Sequence, residues 1–303
     1  MSKESKCTRV WRAKNTAFCG LHSPIGAISR YEEDMIQDVT SPQNSLVKLA
    51  KSLDRKKART ESGLFLAEGA RHVGEGLDLG WELEALLFSA AAEARPAVQS
   101  LAQQALKTGA RVARVSDRVL EAVAKRDNAQ SVLGLFRQRY TPLAELANAP
   151  LIIALERIRD PGNLGTILRT LDSVGGGGVV LLEESCDPFS IEAVRASMGS
   201  IFSAPVARSN FAEFETWRRA QGFKMAGTSL KGSTPHTETD FGSKTVLLMG
   251  NEQSGIPDNW AEACDVLVRL PMAGRADSLN LAIATAVTTY EIWRQQGFKG
   301  ARD

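Results

Sequence analysis

Apolar residues recur at helical spacing soon after residue 40, where Leu46, Leu49, Ala50 and Leu53 fall on one face. A short strand is predicted at Leu64–Ala67, followed by a helix at Ala70–Leu79 and a strand at Leu83–Phe88. Ala94–Lys107 is rich in Ala, Leu and Gln and helical by propensity, whereas Arg111–Val115 and Ser131–Phe136 alternate as strands do. Strands interleaved with helices predict a small layered α/β domain over residues 41–140. The segment 141–150, with two prolines, reads as a linker.

A second α/β domain is predicted over 151–298. Leu151–Leu155 is a continuous apolar run of the kind a parallel strand buries on both faces. Leu164, Ile167, Leu168, Leu171 and Val174 then keep a helical period. Strands follow at Val179–Leu182, Phe223–Gly227, Thr245–Met249 and Val266–Leu270, with helices at Ile191–Met198 and Phe211–Ala220. Leu279, Ile283, Ala286, Tyr290 and Trp293 mark one face of a long closing helix. The sheet implied is mostly parallel with helices on both faces, and ligands of such sheets bind at the carboxyl ends of the strands. Gly175–Gly178 lacks the GK[ST] ending of a phosphate-binding loop and reads as a helix-to-strand turn.

The ends of the chain break the pattern. Residues 1–40 keep neither period and read as a flexible extension, while 299–303 form a tail. Basic Lys3, Lys6, Arg9, Arg12 and Lys14 precede the acidic Glu32-Glu33-Asp34. A presequence for organellar import, and a true start at Met35, stand as alternatives.

Composition narrows the class. The net charge of +2 over 303 residues does not announce nucleic acid, but Lys48, Lys51, Arg55, Lys56, Lys57 and Arg59 cluster against one acid, Asp54. That cluster is either a solvated helix face or a set of phosphate contacts. Cys7, Cys19, Cys186 and Cys264 form no CxxC pair, and three histidines do not complete a zinc site of usual spacing, so free thiols and no metal are expected. No apolar run is long enough to span a bilayer, so a soluble cytoplasmic protein without membrane partners is expected.

Three segments directly after strands carry candidate chemistry. In Asp160-Pro-Gly-Asn163 through Arg169, Pro161 and Gly162 break the strand and Asn163 is placed to cap the helix. In Gly250-Asn-Glu252-Gln-Ser-Gly255-Ile-Pro257, glycine permits close backbone approach where the strand stops. In Leu270-Pro271-Met272 and Asp277-Ser278-Leu279-Asn280, Ser278 is placed to cap the closing helix, leaving Asn280 inside it, where asparagine has poor propensity.

Together these segments resemble the three motifs of the SpoU (TrmH-like) family of RNA 2′-O-ribose methyltransferases, within the SPOUT superfamily. The match is in order and spans 151–295, and Arg195-Ala-Ser-Met-Gly199 with Pro205 resembles the segment between the first two motifs. Less specifically, residues 41–140 are similar to the substrate-binding domain of many members, with Phe65-Leu-Ala-Glu68-Gly69 at its opening strand and turn. The resemblance implies an α/β fold: a C-terminal SPOUT-type trefoil-knot domain with a mostly parallel sheet, preceded by a small L30e-like α/β domain. It implies S-adenosyl-L-methionine (AdoMet) as methyl donor, cupped by Gly250, Leu270, Leu279, Thr228 and Met272. Arg169 matches the catalytic arginine, with Asn163, Glu252, Ser278 and Asn280 orienting it and the ribose. A guanidinium hardly ever deprotonates, so Arg169 either orients the hydroxyl through an RNA phosphate or acts as base in a perturbed setting. Lys48, Lys51, Arg55, Lys56, Lys57 and Arg126 would hold RNA. A homodimer through the knotted domain, using the face of Ala282–Trp293, is implied as well.

Ribosomal RNA is the expected substrate, with tRNA as the alternative. A catalytically silent RNA-binding or ribosome-assembly protein of the same fold is a further reading, opposed by the intact motif residues. A dinucleotide-dependent dehydrogenase would need GxGxxG after a strand, whereas Gly175–Gly178 precedes one.

Overall fold

The computed structural model describes residues 33–302 except Arg126, Asn128 and 231–233, so the expectations placed on the first 32 residues and on Arg126 lie outside the described residues. Two sheets, one per domain, carry the architecture. The first contains β1 (Ile36–Val39), β2 (Leu64–Glu68), β3 (Leu83–Ser89), β4 (Arg111–Val115) and β5 (Val132–Arg137), in the spatial order β1-β4-β3-β5-β2. β1, β4 and β3 run parallel, and β5 is antiparallel to both β3 and β2. The extension predicted for 1–40 is therefore too long: Ile36 and Val39 point into the core and the strand between them pairs with β4. Four residues were too few to show a period.

The helices of this domain are α1 (Ser45–Ser52), α2 (Lys56–Ser62), α3 (Ala70–Asp78), α4 (Pro96–Lys107) and α5 (Asp117–Ala124). The basic cluster thus spans two helices, broken where Leu53 closes α1 and Arg55 opens α2. Pro96 occupies the first turn of α4, where its missing N–H costs nothing.

The second sheet holds β6 (Leu151–Glu156), β7 (Gly178–Leu182), β8 (Val206–Ser209), β9 (Lys224–Thr228), β10 (Thr234–Pro235), β11 (Thr245–Met249) and β12 (Val266–Arg269), in the order β10-β12-β9-β11-β6-β7-β8. Every pairing is parallel. Around it lie α6 (Pro161–Ser173), α7 (Ile191–Ala196), α8 (Ser200–Ser203), α9 (Phe211–Ala220), α10 (Asp258–Ala263) and α11 (Leu281–Gln295). Strand order runs outward from β6 through β7 to β8, then resumes on the other side at β9, and β11 fills the gap beside β6. The carboxyl ends of β6 and β11 are the topological switch point, the usual ligand crevice of such a sheet. After β12 the chain returns so that α11 packs on α6 and β11. Gly165 lets α6 approach α7, since a Cβ there would lie 2.5 Å from the Ala193 carbonyl oxygen.

The two domains share one core. Phe65, Trp81 and Phe136 of the first meet Phe189 and Phe202 of the second with ring centroids 4.9–6.5 Å apart. The Trp81 indole donates to the Phe202 carbonyl at 2.9 Å. Arg195 on α7 grips Glu68 and donates to the Ala124 carbonyl at 2.8 Å. Even the segment predicted as a linker is docked, with Leu146 and Ala149 buried and the Thr141 amide bonded to the Val206 carbonyl.

Candidate active site

The first motif opens where β6 stops. Asp160, not Asn163, caps α6: its carboxylate accepts the Asn163 amide at 2.6 Å, and Pro161 takes the first helical position. An acid ahead of a proline at a helix start was the available signal. Asn163 is thereby placed in the first turn with its side-chain amide free for other work. Its Nδ2 donates to Glu252 Oε1 at 3.4 Å, and its Oδ1 accepts from Asn280 Nδ2 at 3.0 Å.

Glu252 follows β11, the neighbour of β6. Its carboxylate also faces the backbone amides of Arg159 and Asp160, each at 3.4 Å. The loop carrying it is held from both sides. Asn251 donates from its amide to Glu156 Oε2 at 3.0 Å and from Nδ2 to the Arg157 carbonyl at 2.9 Å. Asn251 and Gly255 close the loop as a β-bridge, and a Cβ at Gly250 would collide with the Gly255 carbonyl carbon and the Ile256 amide. Glycine at 250 is therefore required by the loop's own fold. Glu156, 1% exposed, is pushed above the usual carboxylate range by burial, against the opposing pull of Arg157. Sequence reasoning missed Glu156, Asn251, Arg159 and Asp160; Glu156 sits at the end of an apolar run that hides it.

Asn280 is the N-cap of α11, not an interior residue: its Oδ1 accepts the Ala282 and Ile283 amides at 2.9 and 3.3 Å. The cap expected of Ser278 belongs to it instead. Asparagine suits the cap because its carbonyl serves the helix while its amide is left to donate elsewhere.

Asn163, Glu252 and Asn280 thus meet, although they come from three segments. Arg169 and Ser278 stay outside this network. Arg169 is exposed on α6, and neither its guanidinium nor the exposed Ser278 hydroxyl bonds to a described residue. Of the cofactor candidates, Thr228 ends β9, Gly250 follows β11 and Leu270 follows β12; these three strands are adjacent, in the order β12-β9-β11. Val268 and Thr228 are in register. Met272 and Leu279 lie in the exposed segment 271–280 that leads into α11. Three strand ends with exposed apolar side chains beside them fit a group that has an apolar aromatic ring and a polar chain. Lys48, Arg55, Lys56 and Lys57 are exposed on α1 and around α2, and Lys51 is half-buried. Arg59, the last of the basic cluster, is 4% exposed and paired with Asp187, so it faces no phosphate.

Comparison with known proteins matches this architecture in both domains. Residues 150–290 match the SpoU rRNA Methylase family and residues 44–134 the MRM3-like substrate binding domain. The chain is 30% identical over 257 residues to the 23S rRNA (guanosine(2553)-2'-O)-methyltransferase RlmP of Bacillus subtilis, covering 85% of this chain and 99% of that protein. It is 32% identical over 257 residues to the 23S rRNA (uridine(2479)-2'-O)-methyltransferase of Streptomyces viridochromogenes, covering 80% and 87%. The AdoMet-bound rRNA methyltransferase from Sinorhizobium meliloti superposes with a TM-score of 0.80 at 44% identity, covering 86% of this chain and 98% of that one. The SpoU methyltransferase AviRb from Streptomyces viridochromogenes, in complex with AdoMet, gives 0.74 at 28% identity, covering 86% and 100%. The SPOUT-type α/β fold expected from the sequence is the fold of this domain. By its own motifs and by these matches, the chain belongs to the SpoU rRNA methylase family.

Proposed function

We propose that this protein transfers a methyl group from AdoMet to a ribose 2′-hydroxyl of ribosomal RNA in the cytoplasm. The observation that carries the reading is the meeting of Asn163, Glu252 and Asn280 at the switch point, beside the adjacent ends of β9, β11 and β12. Two relatives that act on 23S rRNA, and a domain matching a substrate-binding family packed on the methyltransferase domain, support RNA of the ribosome as substrate.

When bound, AdoMet supplies a methyl group activated by its sulfonium. Thr228, Gly250 and Leu270 hold it with backbone groups, and Leu279 and Met272 cover its apolar ring. Arg169, exposed and without a bond to any described residue, binds an RNA phosphate and orients the attacking hydroxyl. Asn163, Glu252, Ser278 and Asn280 align the ribose. Alignment of this kind is worth roughly 7–11 kcal/mol of barrier when reacting atoms are well placed. Lys48, Lys51, Arg55, Lys56 and Lys57 take phosphates farther along the RNA.

The protein acts as a homodimer in this reading. Ile283 (50% exposed), Val287 and Tyr290 form an apolar stripe along α11, while Ala282, Thr285, Thr289 and Ile292 of the same helix are buried inward. A stripe of this kind on a closing helix fits a second copy of the knotted domain. Mapping 2′-O-methyl groups in rRNA from cells with and without the protein tests the function: one lost site supports it, and unchanged rRNA refutes it.

A further inference from the structure

Arg59 departs from its basic neighbours. It lies on α2, its side chain is almost fully buried, and its guanidinium makes three contacts. Nε donates to Asp187 Oδ2 at 2.8 Å, and Nη1 donates to the carbonyls of Leu53 and Asp54 at 2.8 and 2.9 Å. It therefore ties the end of α1 and the start of α2 to the loop between β7 and α7. That loop touches the active site. Cys186, just before Asp187, donates its amide to the carbonyl of buried Ile158 at 2.8 Å. The next two amides, Arg159 and Asp160, face the Glu252 carboxylate. An unbroken series of bonds runs from the basic helices through Arg59, Asp187 and Ile158 to Glu252.

Arg59 is one of several contacts between the domains. The aromatic cluster and the Arg195–Glu68 pair join the same two domains through other side chains. Two bonds fix the buried guanidinium to the end of α1, and the third sets the position of the Asp187 loop, because the planar fork fixes the direction of each bond. We infer that Arg59 is a positioning residue: through Asp187 it sets the 157–160 loop and the Glu252 carboxylate, and so registers RNA held on α1 and α2 against the reacting hydroxyl. The inference rests on the methyltransferase reading above.

The test uses the full chain with Arg59→Met, Arg59→Lys and Asp187→Asn. Rates are measured with rRNA, AdoMet affinity by calorimetry, and backbone amide exchange over 157–163 by mass spectrometry. Arg59→Met and Asp187→Asn should lower kcat about 10- to 100-fold, the cost of a small misplacement, with KM for RNA and AdoMet affinity unchanged. Arg59→Lys should restore part of the rate. The Arg159 and Asp160 amides should exchange faster in both impaired variants. An unchanged kcat in the folded variants, or a loss confined to KM, overturns the inference. Should Arg59→Met fail to fold, the near-isosteric Asp187→Asn decides. If the wild-type chain methylates no RNA, the methyltransferase reading fails by itself, and exchange at Arg159 and Asp160 still judges the coupling: no change refutes it.

Discussion

Asn280 Nδ2 donates to Asn163 Oδ1 at 3.0 Å across 117 residues of sequence. The same Asn280 caps α11 through its carbonyl oxygen, so one side chain starts the closing helix and ties it to the first motif. The two roles separate by substitution. Asn280→Asp keeps an oxygen for the cap and loses the donor; Asn280→Ala loses both. Asn280→Ala should lower stability by about 1 kcal/mol, the usual value of a cap, and Asn280→Asp should melt near the wild type. Both should transfer methyl groups poorly. Thermal melts beside activity check this, and full activity in Asn280→Asp would deny the tether a role.

Glu156 predicts a pH dependence. Burial holds its native carboxyl above the usual range, so the folded chain keeps this proton to higher pH than the unfolded chain does. Between those two values the native state binds more protons, and stability must fall as pH rises. Glu156→Gln removes that term. The melting temperature of Glu156→Gln relative to wild type should move in the variant's favour as pH is raised from the ordinary carboxylate range toward neutrality. A difference independent of pH would contradict the burial argument.

The exposed basic residues of α1 and α2 should act by charge. Reversing Arg55, Lys56 and Lys57 to glutamate should remove the three phosphate contacts proposed for them. The slope of log affinity for RNA against log salt should become shallower by about three units. Affinity measured at several salt concentrations checks this, and an unchanged slope would leave these residues as a solvated face.

Much of this was legible beforehand. Strands at Arg111–Val115 and Thr245–Met249, and the helix Phe211–Ala220, lie where hydrophobic periodicity put them, because a partly covered strand alternates, a strand buried on both faces is a continuous apolar run, and one face of a helix must be apolar. Short edge elements were not: β1 and β8 have four residues each, too few for a period. The three motifs singled out Asn163, Glu252 and Asn280, which the fold joins by hydrogen bonds, but the capping roles were displaced, to Asp160 in one motif and to Asn280 in another. A cap depends on which backbone amide a side chain reaches, and sequence spacing leaves that open by a few residues. Arg59 shows the same limit more sharply. Counted by charge it belongs with its neighbours; burial and the pairing with Asp187 set it apart from them.

The stripe on α11 gives the proposed dimer a direct check. Val287→Asp places a charge at its centre, where a partner would have to desolvate it. Sedimentation should show the wild type as a dimer at micromolar concentration and the variant as a monomer with unchanged far-ultraviolet circular dichroism. A wild-type monomer would contradict the assembly.

The most direct test is transfer of labelled methyl from AdoMet to purified rRNA by the wild-type chain and by Arg169→Ala, with AdoMet binding measured in parallel. Wild type should label the RNA on a ribose 2′-oxygen, and Arg169→Ala should bind AdoMet nearly as well while turnover is lost. Wild-type labelling by the Arg169→Ala chain would contradict the site assignment, and no labelling by either chain would contradict the proposed reaction.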